Sequence, residues 1–276
     1  MTFKDEVDKI LSPEEKRLFK RAFDVVGDIA ILEIDEELRH KEKEIAEALL
    51  RSQKNISAVV RKDGAHEGRF RLQRLKHLAG EKKKETMHKE NNVRLLLNPE
   101  KVYFSARLAT ERKRIAELVE EGEHVLVMFS GCGPYLVVIA KNTPAKEVIG
   151  IEENPAAHEY AEENVKLNKL SNITLYQGDV RKVISSWLER PQGKKTAFDR
   201  ILMPLPKSAE EFLDTALAVA KKGTIIHMYD FLHEDDFHLA EEKVRKLCPK
   251  AKILGLTRCG QQSARTYRVC IDFIVA

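Results

Sequence analysis

The stretch EHVLVMFSGCGPYLVVIAKN, residues 123–142, decides the fold. EHVLVMFSG reads as a buried strand that ends in glycine, and residues 135–141 begin a helix. The turn between them carries Phe129, Gly131 and Gly133. Glycines at a strand-to-helix turn let the backbone approach a ligand and leave helix N–H groups free to bind it. Many such turns carry glycine for steric reasons alone, so the next strands have to decide. EVIGIEEN is a second strand, and it brings Glu152 and Glu153 to its end about twenty residues after the turn, where an acid can accept hydrogen bonds from both hydroxyls of a ribose. ITLYQGD is a third strand; Gly178 and Asp179 close it, and a carboxylate there can receive an adenine amino group.

Working outward, helices are expected at 110–119, 155–168 and 234–246, and further strands at FDRILMPLP, GTIIHMYDF and the closing RVCIDFIVA. Strands alternating with helices call for an α/β architecture, a parallel sheet covered on both faces. Leu136 stands where a third glycine of GxGxxG would be, and no second mononucleotide-binding half follows. Both facts favour S-adenosylmethionine over a dinucleotide.

Upstream the pattern differs. Residues 13–23 and 36–52 read as amphipathic helices, the second with Leu38, Ile45, Leu49 and Leu50 on one stripe. VVGDIAILEI (25–34) reads as a strand between them. From 56 to 97 short alternating runs suggest antiparallel strands with one wet, basic face; in FRLQRLKHLAG, Phe70, Leu72 and Arg74 would point one way, Arg71, Gln73 and Leu75 the other. Residues 1–100 thus form a small α+β domain ahead of a Rossmann-like domain over 101–276. PQGKK (191–195) is expected to be a surface loop.

The 276 residues carry a net charge of +4, which hides an asymmetry: 9 basic and 14 acidic side chains in 1–50, but 13 basic and 5 acidic in 51–94. Such a local excess attracts a polyanion, although a solvated Lys/Arg surface would read the same way. No apolar run approaches the roughly 20 residues of a membrane span, and MTFKDEVDKI has no apolar secretory core. Cys132, Cys248, Cys259 and Cys270 show no metal-ligand spacing, so a cytoplasmic protein without a metal site is expected.

The chain resembles the archaeal and eukaryotic class of tRNA (guanine-37 N1)-methyltransferases from about residue 24 to its end. The resemblance is carried by FDVVGDIAIL, by the long block from Val59 to Val119, by MFSGCGPYLVVIAK, IEENPAAHEYAEENVKLNKL and FDRILMPLP, and most specifically by YFSARLATERKR (103–114). It implies a Rossmann-fold methyltransferase domain preceded by a small tRNA-contacting domain, S-adenosylmethionine as cofactor, the tRNA anticodon arm as partner, and a monomer. It also assigns roles. Glu111 would be the base that removes the N1 proton of guanine, Arg71 the cation that stabilises O6, and Tyr103 an aromatic that helps hold the base. Read from the residues alone, Glu111 is equally a helix N-terminal acid beside a Thr110 cap, Arg71 a phosphate contact, and Tyr103 a packed core ring.

Three departures from the family pattern stand out. Val127 replaces an acid at the end of the first strand. Pro204-Leu205-Pro206 replaces an NLP, with Pro204 still placed at the cofactor, and this form resembles the subgroup that also methylates a wyosine precursor. An extra N-terminal domain of many relatives is not expected here. The rival reading is the wybutosine-pathway 3-amino-3-carboxypropyltransferase, whose corresponding motifs resemble FSPANxxER and MGY. A non-catalytic RNA-binding relative is the third.

Overall fold

The structure, a computed structural model, describes residues 2–65, 67–189 and 197–276. The expected loop at 191–195 lies outside the described residues. The chain divides into two compact units, Met1–Lys89 with Arg94–Ala106, and Glu90–Val93 with Arg107–Ala276.

In the first unit α1 (Phe3–Ile10) packs against α3 (Glu42–Ser52), and β1 (Phe23–Val26), β2 (Ile29–Leu32), β3 (Ala58–Lys62) and β4 (Leu75–Gly80) form a sheet in that order. The expected stripe of α3 and the turn before it is the core: Leu38, Ile45 and Leu49 are fully buried and Leu50 packs at the margin. A hairpin of β5 (Thr86–Glu90) and β6 (Val93–Leu97) turns through Asn91 and Asn92, both left-handed, as a two-residue hairpin turn requires; its tip, Glu90–Val93, is counted with the second unit.

Three sequence expectations are corrected in this unit. The helix expected over 13–23 shrinks to α2 (Glu15–Leu18), because Phe19 leaves the helix in extended conformation to join the core, its ring 6.1 Å from that of Phe3. The single strand at 25–34 is two antiparallel strands: the chain reverses at Gly27 (φ 59°), where a Cβ would stand 1.9 Å from Thr86 Oγ1. The alternating strand expected from Phe70 begins only at Leu75. Glu67 and Leu72 exchange backbone hydrogen bonds of 2.9 and 3.0 Å around a tight turn, and Arg71 lies inside it at φ 52°. A turn has no period of two, so the proposed facing of Phe70, Leu72 and Arg74 does not exist.

The second unit follows the alternation read from the sequence. After α4 (Ala109–Glu117) come β7 (His124–Met128), α5 (Pro134–Asn142), β8 (Glu147–Glu152), α6 (Pro155–Leu167), β9 (Ile173–Gln177), α7 (Val180–Leu188) and β10 (Phe198–Met203). They are followed by α8 (Leu213–Ala218), β11 (Ala220–His233), α9 (His238–Leu247), β12 (Lys252–Ser263) and β13 (Thr266–Ile274). The sheet order is β12-β13-β11-β10-β7-β8-β9. Strands β9, β8, β7, β10 and β11 are parallel, while β13 runs antiparallel to both its neighbours. The closing strand is therefore not part of the parallel set. The sequence reading also missed β12, which is mostly exposed and bulged, so it carries no clean alternation. The chain runs outward from β7 through β8 to β9 and then returns to β10 on the other side of β7. That reversal opens a crevice at the carboxyl ends of β7 and β10, the general ligand position of such sheets.

The charged core of this unit is Arg200 on β10, 1% exposed. Its guanidinium donates to both oxygens of Glu123 at 2.7 Å and to the carbonyl of Leu118 at 2.5 Å. Breaking one partner of a buried pair leaves the other charge uncompensated. Arg200→Met is expected to lower the free energy of unfolding by about 3–5 kcal/mol in urea titrations, whereas Arg245→Met on exposed α9 should change it by less than about 1 kcal/mol.

Candidate active site

At the β7–α5 turn three alternate residues take special backbone conformations. Phe129 (φ 58°), Gly131 (φ 57°) and Gly133 (φ 83°) are all left-handed. The turn is clasped from β8: Glu152 Oε2 accepts from the Gly131 N–H at 2.7 Å and Oε1 from Asn154 N–H at 2.7 Å. The Glu152 carbonyl in turn accepts from Gly178 N–H at 2.8 Å, which brings the end of β9 alongside. Burial raises the proton affinity of Glu152, opposed by those backbone donors. Glu153 follows it, half-buried. Asp179 caps α7, its Oδ1 accepting from the N–H of Arg181 at 2.8 Å. Thus Gly131, Gly133, Glu152 and Asp179, expected from sequence to share one site, stand on three adjacent strand ends. Phe129 packs edge-on against Phe212 at 4.9 Å. Pro204 follows β10 in a tight turn closed by Leu205 N–H to Met203 carbonyl at 2.8 Å. Val127 is fully buried, in register between Gly150 and Leu202.

Glu111 is not the exposed helix-end acid that Thr110 would cap: α4 begins at Ala109, its cap position is Leu108, and Glu111 is 4% exposed. Its Oε1 accepts from Arg114 at 2.7 Å and from the Tyr229 hydroxyl at 2.7 Å; its Oε2 accepts from Arg114 Nε at 2.7 Å. The Tyr135 hydroxyl donates to Tyr229 at 3.0 Å. Arg114 reaches past Glu111 to Asp272 Oδ2 at 2.6 Å, and Asp272 Oδ1 accepts from His227 Nδ1 at 2.6 Å. The other His227 nitrogen faces Arg200 at 2.8 Å, so the ring is the neutral tautomer with its proton on Nδ1, which burial also favours. His227, Cys270 and Asp272 are close enough together to resemble a metal cluster. The Nδ1 proton and two flanking guanidiniums make it a hydrogen-bonded network instead. Arg114, Asp272, His227 and Tyr229 were missed at the sequence level; the only signal was polar letters inside the apolar runs IIHMYDF and RVCIDFIVA.

In the first unit, the turn that displaced the expected strand places the Arg71 guanidinium 5.1 Å from the centroid of Tyr103, within cation–π range. In the same unit Arg69, Arg74, Lys82, Lys84, Lys89 and Arg94 are exposed. Part of the basic excess is consumed internally, since Arg61 is buried against Glu42 at 2.7 Å and Lys76 binds the same carboxylate at 2.6 Å.

Residues 86–255 match the family described as TRM5/TYW2 methyltransferase domain, and residues 3–83 match the TYW2 N-terminal domain. The chain belongs to the TRM5/TYW2 methyltransferase family. It is 42% identical over 272 residues to tRNA (guanine(37)-N(1))-methyltransferase Trm5b of Pyrococcus abyssi, covering 96% of this chain and 78% of that one. The structure of aTrm5 in complex with tRNALeu superposes with a TM-score of 0.86 at 34% identity, covering 100% of this chain and 78% of that chain. The tRNA(Phe) (4-demethylwyosine(37)-C(7)) aminocarboxypropyltransferase of Methanocaldococcus jannaschii is 34% identical over 209 residues, 76% of this chain and 78% of that protein. No helix among the described residues is long and apolar enough to cross a membrane.

The strand ends fit the nucleoside-type cofactor that the family implies. The left-handed glycines keep the backbone open, two carboxylates stand on neighbouring strands, and Ser130 Oγ, buried in the same turn, has no hydrogen-bond partner among the described residues.

Asp272 carries a pH prediction. Burial opposes its ionisation, but the hydrogen bonds from His227 and Arg114 and the charge of Arg114 prevail and hold its carboxyl at about 2, below the ordinary 3.8. A depressed folded value means stability that is present above about pH 4 and lost as pH falls toward about 2, on the order of 2 kcal/mol. Urea unfolding at about pH 4.5 and 2.5 is expected to show this loss in the wild type, and a smaller one in Asp272→Asn.

Proposed function

We propose that this protein transfers the methyl group of S-adenosylmethionine to N1 of guanine 37, beside the anticodon of a tRNA, in the cytoplasm. Residues 1–100 contact the anticodon arm and residues 101–276 carry the chemistry. The observation that carries the reading is Glu111: the family's most specific block puts a carboxylate in a buried place, where Arg114 and the Tyr229 hydroxyl orient it by hydrogen bonds.

S-adenosylmethionine supplies an electrophilic methyl group. Guanine N1 carries a proton at neutral pH and attacks only when a base removes it. Glu111 takes that proton, its carboxylate held in place by Arg114 and Tyr229. Proton loss moves negative charge to O6, and Arg71 supplies the cation there, its guanidinium steadied on the Tyr103 face while Tyr103 helps hold the base. Gly131, Gly133, Glu152, Glu153 and Asp179 hold the cofactor, Glu152 at the ribose and Asp179 at the adenine, with Phe129 and Pro204 lining the same strand ends. Free cysteines throughout suit a reducing compartment.

The match of residues 3–83 to the TYW2 N-terminal domain favours aminocarboxypropyl transfer as the second reading. FSARLATER and MPLP, and the higher identity to Trm5b, favour methyl transfer. An unmodified tRNA with guanine at position 37 decides between them when incubated with S-adenosylmethionine labelled in the methyl group or in the carboxyl carbon. Methyl label in 1-methylguanosine, lost when position 37 is changed, is the expected result; carboxyl label in the RNA would establish the second reading, and no transfer from either would point to a binding protein. Glu111→Gln is expected to slow methyl transfer by about 100-fold or more while calorimetric affinity for S-adenosylmethionine stays within about twofold. Normal turnover would remove Glu111 from the base role.

A further inference from the structure

Asp272 stands at the far end of the sheet in sequence, on β13, outside every motif that carries the family resemblance. Its Oδ2 takes one terminal nitrogen of Arg114 at 2.6 Å, while Nε and the other terminal nitrogen serve Glu111 at 2.7 Å each. One guanidinium thus serves two carboxylates. The chain continues through neutral His227 to Arg200 and Glu123. It contains three carboxylates and two guanidiniums, an excess of one negative charge in a buried network. A proton arriving on Glu111 removes that excess. From this arrangement we propose that Asp272 is a positioning residue for the reaction: by sharing Arg114 it keeps Glu111 oriented yet basic enough to accept the guanine proton. The inference rests on the reading of Glu111 as base.

The alternative arrangement makes the physical point. With Arg114 bound to Glu111 alone, the bidentate pair would satisfy the carboxylate fully and hold it in its ionised form. Such a carboxylate is well fixed but poor at taking a proton. With a second carboxylate on the same guanidinium, the attraction is divided, and proton transfer to Glu111 leaves Arg114 paired with Asp272 rather than stranded. The other groups facing Glu111 are Arg112 on its own helix, which is committed to Glu90, and Tyr135 from α5, Tyr229 from β11, Cys259 from β12 and Cys270 from β13. Burial, reinforced by the neighbouring acids, pushes both tyrosine hydroxyls and both thiols up, so all four are neutral at working pH. Asp272 is therefore the charged partner through which Arg114 is divided.

The experiment is the pH dependence of single-turnover methyl transfer, with saturating enzyme, methyl-labelled S-adenosylmethionine and an unmodified tRNA transcript with guanine 37. Asp272→Asn keeps the shape and removes the charge. Its acid limb is expected to move down by about one pH unit, with a plateau about threefold lower, as a weaker base requires. Asp272→Glu, which restores the carboxylate, is expected to return the limb toward the wild-type position. A purely structural role for Asp272 would lower the plateau and leave the limb in place, and that result overturns the proposal. If Asp272→Asn does not fold, as judged by loss of calorimetric S-adenosylmethionine binding, Arg114→Lys carries the test. It keeps one charge but loses the fork, and the limb should then move up; an unmoved limb overturns the proposal equally. Failure of the base reading is separate, because it appears as normal turnover in Glu111→Gln.

Discussion

The methyltransferase unit depends on one guanidinium. Arg114 fastens α4, which carries the most specific motif of the chain, to β13, its last strand, across 158 residues of sequence. Both carboxylates it binds are buried. Buried carboxylates without a cation would neutralise or destabilise the fold, and a buried cation without them would do the same. The helix, the antiparallel end of the sheet and the Tyr229–Tyr135 pair are consequently held in one arrangement. Arg200 repeats the device one layer further in, holding β10 to Glu123 ahead of β7.

A second constraint is made of backbone. At the switch point, Glu152 gives one oxygen to Gly131 and one to Asn154, and its carbonyl to Gly178. One residue therefore sets the spacing of three strand ends. The groups proposed to hold the nucleoside are thus already in place, and little ordering of the turn would remain to be done on binding. The left-handed conformations of Gly131 and Gly133 make this possible, because glycine takes them without the steric cost of a Cβ. Phe129 takes the same conformation with a side chain, and its ring is held by Phe212.

Legibility in the sequence followed how local each signal was. The alternation from β7 to β10 and the glycine turn after β7 were readable, because a strand buried on both faces is a continuous apolar run and a strand-to-helix turn needs glycine at fixed offsets. Leu38, Ile45 and Leu49 were readable for the same reason, a helical period with a buried stripe. Short elements of the first unit were not. Phe19 abandons its helix for a ring contact with Phe3, and the chain around Arg71 turns where its letters alternate like a strand. In both places long-range packing or a tight turn outweighs a weak local preference. The bulged edge strand β12 was missed because an exposed edge carries no regular burial.

By itself, the sequence determined the fold class and the place of the glycine turn after the first parallel strand, and it singled out Glu111 as the candidate base. These rest on patterns within a few dozen residues. Only the tertiary structure decided what surrounds Glu111. Arg114 is three positions away on the same helix and Asp272 is on a strand formed at the end of the chain, so their sharing depends on sheet register and strand order. Burial, which turns an ordinary acid and an ordinary arginine into a coupled charge network, comes from packing, and no letter in the sequence records it.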